Sequence, residues 1–204
     1  MLRDLGAHVS WGKEVVRYEE TSSEVEVYFS YGSSDKGALL IGADGACSNV
    51  RQQYIPNHKT EPTRGFCVYG KTPLRESFTK SLEPAVLRDM GAIKDRSQSI
   101  YSVTVMEPVV FTQREEMLMN GFECPEDYLY WVLSDQKAAL GLENDVSKTR
   151  EESAAIVEAI AEGWHPALRG ILTEQLPDNT ALLSIRSVPE DLEGWAGDQD
   201  QESR

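Results

Sequence analysis

The stretch Leu39 to Arg51, LLIGADGACSNVR, constrains this chain more than any other. Its continuously apolar start, Ala38-Leu39-Leu40-Ile41-Gly42-Ala43, reads as a strand buried on both faces, as in a parallel sheet flanked by helices. The run stops at Asp44-Gly45, and Ser48 to Tyr54 reads as a helix. On that reading Asp44 arrives at the carboxyl edge of a strand, where open α/β sheets bind ligands. Gly45 permits a positive φ and the close approach of a ligand. Ser48 is placed to cap the helix, whose first amides favour an anion. Arg51 is placed to pair with Asp44 or to reach a phosphate.

The flanking sequence is rich in strands. His8 to Glu20 carries many β-formers, and Val25, Val27 and Phe29 alternate with Glu26, Tyr28 and Ser30. Tyr31 to Gly37 reads as a turn. Further on, Gly65 to Gly70, Ser99 to Thr112 and Asp127 to Ser134 are β-prone, a helical patch covers Leu82 to Met90, and Gln113 to Glu126 reads as loop. Ser147 to Glu174 is the clearest helical region, capped by Ser147, with Ala155, Ile156, Ala159 and Ile160 as its apolar stripe. Gly163 breaks it, and a second helix follows Pro166. Trp11, Trp131 and Trp164 are expected in the core, while Tyr128 and Tyr130 alternate along a strand so that one face can meet a substrate.

Composition limits the function classes. Lys+Arg is 20 against Asp+Glu 34, a formal charge of -14. A chain this acidic offers no basic face to nucleic acid and no polybasic patch to a membrane. No apolar run approaches the roughly 20 residues of a spanning helix. Cys47, Cys67 and Cys124 form neither a CxxC nor a zinc pattern and read as reduced, buried thiols of a cytoplasmic protein. His8, His58 and His165 lie too far apart to suggest a metal site.

Taken as one string, Gly42, Ala43, Asp44, Gly45, Ser48, Val50 and Arg51 resemble the h-h-G-A-D-G-x-x-S-x-V-R motif of the FAD-dependent aromatic hydroxylases, the p-hydroxybenzoate and salicylate hydroxylase-like flavoprotein monooxygenases. Weaker resemblance extends to about Val188, through Leu2 to Glu20, Gly65 to Thr72, Tyr128 to Trp131 and Trp164-His165-Pro166. It implies an α+β fold of the α/β family: an incomplete FAD/NAD(P)-binding Rossmann-like domain joined to an antiparallel β-sheet substrate domain with covering helices. The implied division is 1–58 for the end of the FAD domain, 59–188 for the substrate domain and 189–204 for an acidic, disordered tail. The implied activity is NAD(P)H- and O₂-dependent hydroxylation of an aromatic or polyketide-like small molecule, with FAD carrying the redox chemistry. Asp44, Gly45, Ser48 and Arg51 carry over as cofactor-binding positions, and Val15 as a neighbour of the adenine. No catalytic residue carries over.

The family's strand–GxGxxG–helix unit does not occur in the sequence, and Gly197-Asp198 lacks the His and Pro of the family's later Gly-Asp motif. The chain is therefore expected to be an internal piece with weak FAD binding of its own. The Leu39 to Ala43 run, lacking its flank, is expected to leave an exposed apolar patch. The competing reading is a non-catalytic remnant, or an interaction protein built on the substrate-domain sheet.

Overall fold

A computed structural model describes residues 3–94, 102–140, 142 and 148–190. They form two compact units, one running to Glu61 and taking up the chain again from Ser187, the other covering Pro62–Arg186.

In the first unit, β1 (Val15–Glu20), β2 (Val25–Phe29) and β3 (Ser34–Gly37) form an antiparallel meander in that order. The register slips by one residue between Val15 and Arg17, a bulge at Val16. The segment expected to be only a turn thus supplies the third strand, because Gly32, at φ 79, reverses the chain early enough for Ser34–Gly37 to pair back on β2. The helix α1 (Asn49–Tyr54) follows. Its Asn49 Nδ2 donates to the Val15 carbonyl at 2.8 Å. One turn later the Gln53 amide accepts from Tyr18 N at 3.0 Å and donates to Tyr18 O at 2.6 Å. Two carboxamides at i and i+4 share a helix face, so together they satisfy backbone groups on the edge of β1.

The Leu39 to Ala43 run is not a strand. Leu39 is 77% exposed and Ile41 76% exposed, and no strand pairs with this stretch among the described residues. An apolar sequence forms a doubly buried strand only when neighbouring strands and helices cover it. Trp11, expected in the core, is 77% exposed, and no cysteine is fully buried: Cys47 is exposed, Cys67 and Cys124 half-buried.

The second unit is built on an antiparallel five-stranded sheet. Its strands are β4 (Glu61–Pro73), β5 (Gly91–Ile93), β6 (Val103–Val109), β7 (Tyr128–Gln136) and β8 (Ala181–Ser187), in the order β5-β6-β7-β4-β8. Strict alternation divides the faces. Phe66, Val68 and Thr72 of β4, Leu129, Trp131 and Leu133 of β7, and Thr104 and Met106 of β6 are buried. The core they enter also receives Phe78 of α2 (Glu76–Ser81), Val157 and Ala161 of α4 (Arg150–Ala161), and Ile171 and Leu172 of α5 (Pro166–Thr173). Trp131 lies opposite Gly70, and its indole covers the bare glycine so closely that a Cβ there would meet Cζ2 at 2.2 Å. The indole Nε1 donates to Thr72 Oγ1 at 3.1 Å, and that hydroxyl donates to the Ile171 carbonyl at 2.5 Å.

Several helix boundaries differ from the sequence reading. Thr149, not Ser147, caps α4, in a reciprocal capping box with Glu152; Ser147 falls outside the described residues, as do 191–204 of the tail. The buried face of α4 is Ser153, Ala154, Val157 and Ala161, with Ile156 and Ile160 at its margin and Ala155 and Ala159 exposed. Ser153 belongs inside because its hydroxyl donates to Thr149 O at 2.7 Å and accepts from Leu182 N at 3.1 Å. The expected Leu82 to Met90 helix is a 3₁₀ turn, Pro84–Leu87, with Pro84 at its first position. The expected Gln113 to Glu126 loop contains α3 (Arg114–Met119), which buries no residue and so leaves no apolar period to read. Among the described residues no helix is long and apolar enough to cross a membrane.

Two stability predictions follow from these contacts. Gly70→Ala drives a methyl into the buried indole, and urea unfolding should show a loss of about 3 kcal/mol. A Gly70→Ala protein with an unchanged midpoint would contradict the packing described. By contrast, Leu39→Lys with Ile41→Lys removes exposed apolar surface, so it should raise soluble yield and hold stability within about 0.5 kcal/mol.

Candidate functional site: the Asp44–Arg51 turn and the open sheet face

The Asp-Gly motif folds into a turn satisfied almost wholly from within. Asp44 Oδ2 accepts from Asn49 N at 2.9 Å and from Val50 N at 3.4 Å. Ser48 Oγ accepts from Arg51 N at 2.9 Å as the N-cap of α1. Arg51 turns back and donates to Ala46 O at 2.8 Å and to Gly45 O at 3.4 Å. Gly42 is needed for space, since a Cβ there would meet Val50 Cγ1 at 2.8 Å. Gly45 is needed for conformation, with φ 82, and nothing lies within 4 Å of where its Cβ would be.

This geometry differs from the expectation at Arg51. The first amides of α1 are bonded by the Asp44 carboxylate. Arg51 neither pairs with Asp44 nor reaches outward; its guanidinium ties the turn's carbonyls together. Asp44, Gly45, Ser48 and Arg51 are brought into one unit, and Val15 joins through Asn49, which occupies its carbonyl. The hydrogen bond from Ser48, followed by those from the backbone amides, holds the Asp44 carboxyl below the ordinary carboxylate range.

The second feature is the uncovered face of the five-stranded sheet. Cys67, Tyr69 and Lys71 of β4 share it with Tyr128, Tyr130, Val132 and Ser134 of β7 and with Val103, Val105 and Glu107 of β6. Trp131, adjacent in sequence to Tyr130, points the other way into the core. Burial raises the Cys67 thiol above its ordinary range. Sequence reasoning missed the loop at one end of this face. Asp127 Oδ1 accepts from Phe111 N at 3.1 Å and from Arg114 at 2.7 Å, and Arg114 also donates to Pro125 O at 2.7 Å. These bonds hold the Asp127 carboxyl below its usual range. Their only sequence trace is an Arg and an Asp 13 residues apart in an apparent loop. Among the described residues no cluster of His, Cys, Asp and Glu is placed to hold a metal.

The chain is 30% identical, in an alignment covering 92% of its length, to a dual O-methyltransferase/FAD-dependent monooxygenase of Cercospora nicotianae. It is 29% identical over 96% of its length to a protein of the same description from Phaeosphaeria nodorum. A shorter match, 52% identical over 42 residues and covering 21% of this chain and 11% of the relative, is to a 3-hydroxybenzoate 6-hydroxylase of Aquipseudomonas alcaligenes. The fold matches Klebsiella pneumoniae HpxO, solved with FAD and uric acid, at a TM-score of 0.62 and 19% identity over 92% of this chain and 41% of that one. It also matches a salicylate hydroxylase substrate complex, at a TM-score of 0.52 and 20% identity over 88% of this chain and 42% of that one. No family model matches the chain. The homologues are thus FAD-dependent monooxygenases, a 3-hydroxybenzoate 6-hydroxylase among them over a short stretch, and the fold is shared with solved FAD-binding monooxygenases. The chain spans 23% and 24% of the length of the two fungal relatives.

The Asp44 carboxyl gives a pH prediction. Held below its ordinary range, it adds stability to the turn that is fully present above about pH 4 and is lost as pH falls through the depressed value. The protection factors of the Asn49 and Val50 amides, each taken against the intrinsic exchange rate at that pH, should therefore fall on acidification in the native protein and be low at neutral pH in Asp44→Ala. Ser48→Ala should cost the turn about 1 kcal/mol by the same readout at Arg51 N. Protection unchanged in both variants would show that these contacts do not hold the turn.

Proposed function

We propose that this chain forms part of an FAD-dependent monooxygenase that hydroxylates an aromatic or polyketide-like small molecule at the expense of NAD(P)H and O₂, in the cytoplasm. The observation that carries this reading is Gly45, held at positive φ with open space above it by a turn in which the Asp44 carboxylate and two Arg51 nitrogens are bonded internally, while Arg51 Nε is buried without a hydrogen-bond partner. That surface fits the edge of a flat cofactor. It does not supply phosphate ligands, so Gly45 is the position of direct approach, and Asp44, Ser48 and Arg51 are positioning residues for it. When bound, FAD supplies the redox chemistry that couples the nicotinamide, O₂ and substrate.

The open sheet face provides the substrate wall in this reading. Tyr69, Tyr128 and Tyr130 offer flat apolar rings with hydroxyl ends, suited to an aromatic ligand and to shielding it from water.

The test uses the full chain with added FAD. Flavin fluorescence should change saturably, and NAD(P)H oxidation should respond to hydroxybenzoates. Gly45→Val adds a branched side chain where the approach is open, so it should weaken FAD binding at least about tenfold while Gly12→Val, at a positive-φ glycine of a different turn, does not. A native chain that neither perturbs the flavin nor consumes NAD(P)H at saturating FAD would favour a non-catalytic or interaction role.

A further inference from the structure

Where the end of β1 meets the end of α1, the first unit has an open cleft of about 520 Å³, lined by Tyr18, Glu19, Glu20, Gln53 and Tyr54. That is room for a small head group with a short stem. The Gln53 carboxamide joins the two elements here, bonded to both the N–H and the carbonyl of Tyr18, and so sets Tyr18 and Tyr54 in one cleft.

Alternation along β1 sorts the charges. Arg17 and Glu19 share one face, where Glu19 accepts from Arg17 and, at 3.2 Å, from the Tyr28 hydroxyl. Lys36 neutralises Glu24 at 2.6 Å and Glu26 at 3.6 Å. Tyr18 and Glu20 share the opposite face of β1. Of the glutamates in β1, β2 and their connecting turn, Glu20 alone has no cation paired with it among the described residues. Tyr18 is 7% exposed, and its hydroxyl donates to no group among the described residues. Burial, then the Glu20 carboxylate and Tyr54, raises this phenol above its ordinary range, so it keeps its proton. A phenol more than nine-tenths buried without a partner, lining a cleft beside an unpaired carboxylate, is a polar demand the fold itself does not meet.

We propose that this cleft binds an alkylguanidinium group, with the Glu20 carboxylate as counter-ion, the Tyr18 hydroxyl oxygen as second acceptor and the Tyr54 ring as a flat wall beside its plane. The ligand class follows from the lining. One unpaired carboxylate matches one positive charge. A guanidinium is planar, weakly hydrated and rich in donors, so it serves two acceptors while lying against a ring. A quaternary ammonium would leave both acceptors unpaired, and a divalent metal ion needs more oxygen ligands than one carboxylate and one phenol supply. The formal charge of -14 adds long-range attraction for a cation. None of these residues is invoked for flavin or substrate, so the assignment stands or falls apart from the proposed redox function.

The test follows the backbone amides of Tyr18 to Glu20, Gln53 and Tyr54 by NMR in the full chain without FAD, at about 0.15 M salt to screen diffuse attraction. Ethylguanidinium should shift these signals and saturate with a Kd below about 30 mM, with neutral ethylurea and donor-free tetramethylammonium each at least about fivefold weaker. Glu20→Gln, at an exposed position, should weaken ethylguanidinium at least about fivefold at an unchanged melting temperature. Glu158→Gln removes the same charge from the exposed side of α4 and should change nothing. Tyr18→Phe, which keeps the ring, should weaken binding in the same direction as Glu20→Gln. Acetyl-arginine amide separates the two sources of the group: binding at least as tight as ethylguanidinium supports an arginine presented by another polypeptide, and weaker binding supports a free guanidine. Shifts that do not saturate, a Glu20→Gln chain that binds as the native one does, an equal loss in Glu158→Gln, or a match by ethylurea or tetramethylammonium would overturn the proposal.

Discussion

The second unit depends on one contact, the Trp131 indole lying on Gly70. A glycine inside a strand normally weakens it, because it has no side chain to pack. Here the bare backbone gives room for the largest side chain in the core, contributed by the directly opposed residue of the neighbouring strand. The ring then positions its own nitrogen against Thr72, and Thr72 reaches the Ile171 carbonyl of α5. Sheet pairing, core packing and helix attachment therefore meet at three residues. A buried indole N–H left unpaired costs about 1–3 kcal/mol, so the Thr72 hydroxyl matters beyond its size.

With that face closed, the same alternation leaves the other face to function. Each residue of β4 or β7 that enters the core has neighbours on the opposite side, and these are largely tyrosines, a lysine and small groups. The apolar packing of Phe66, Val68, Leu129 and Leu133 thus fixes the strand positions, and through them the separation of Lys71 from Tyr128. Arg114 and Asp127 then determine where the loop closes over that end.

How much of this was legible in the sequence depended on the range of the contacts. The cap at Ser48 was legible because it reaches only three residues, to Arg51; the bonds of Asp44 to Asn49 and Val50 and of Arg51 to Gly45 and Ala46 are nearly as local, but the same side chains read equally well as reaching a ligand or each other. The strands β4 and β7 were legible through their β-formers. The buried face of α4 was not, because Ser153 is drawn inside by the amide of Leu182, 29 residues away. The fate of Leu39 and Ile41 was illegible for the opposite reason: burial requires partners, and an apolar run does not carry them with it.

The sequence by itself determined the local chemistry: the Asp44-Gly45 turn, the cap at Ser48 and the alternation that separates a core face from an open one. Backbone sterics and hydrogen bonds within a few residues are enough to set these. Only the tertiary structure decided that Leu39 and Ile41 stay exposed, that Ser153 is drawn into the core by Leu182, and that Lys71 comes to lie over the Tyr128 ring. Lys71 and Tyr128 are separated by 57 positions in the chain, and a charge is paired or left free by what folding brings to it.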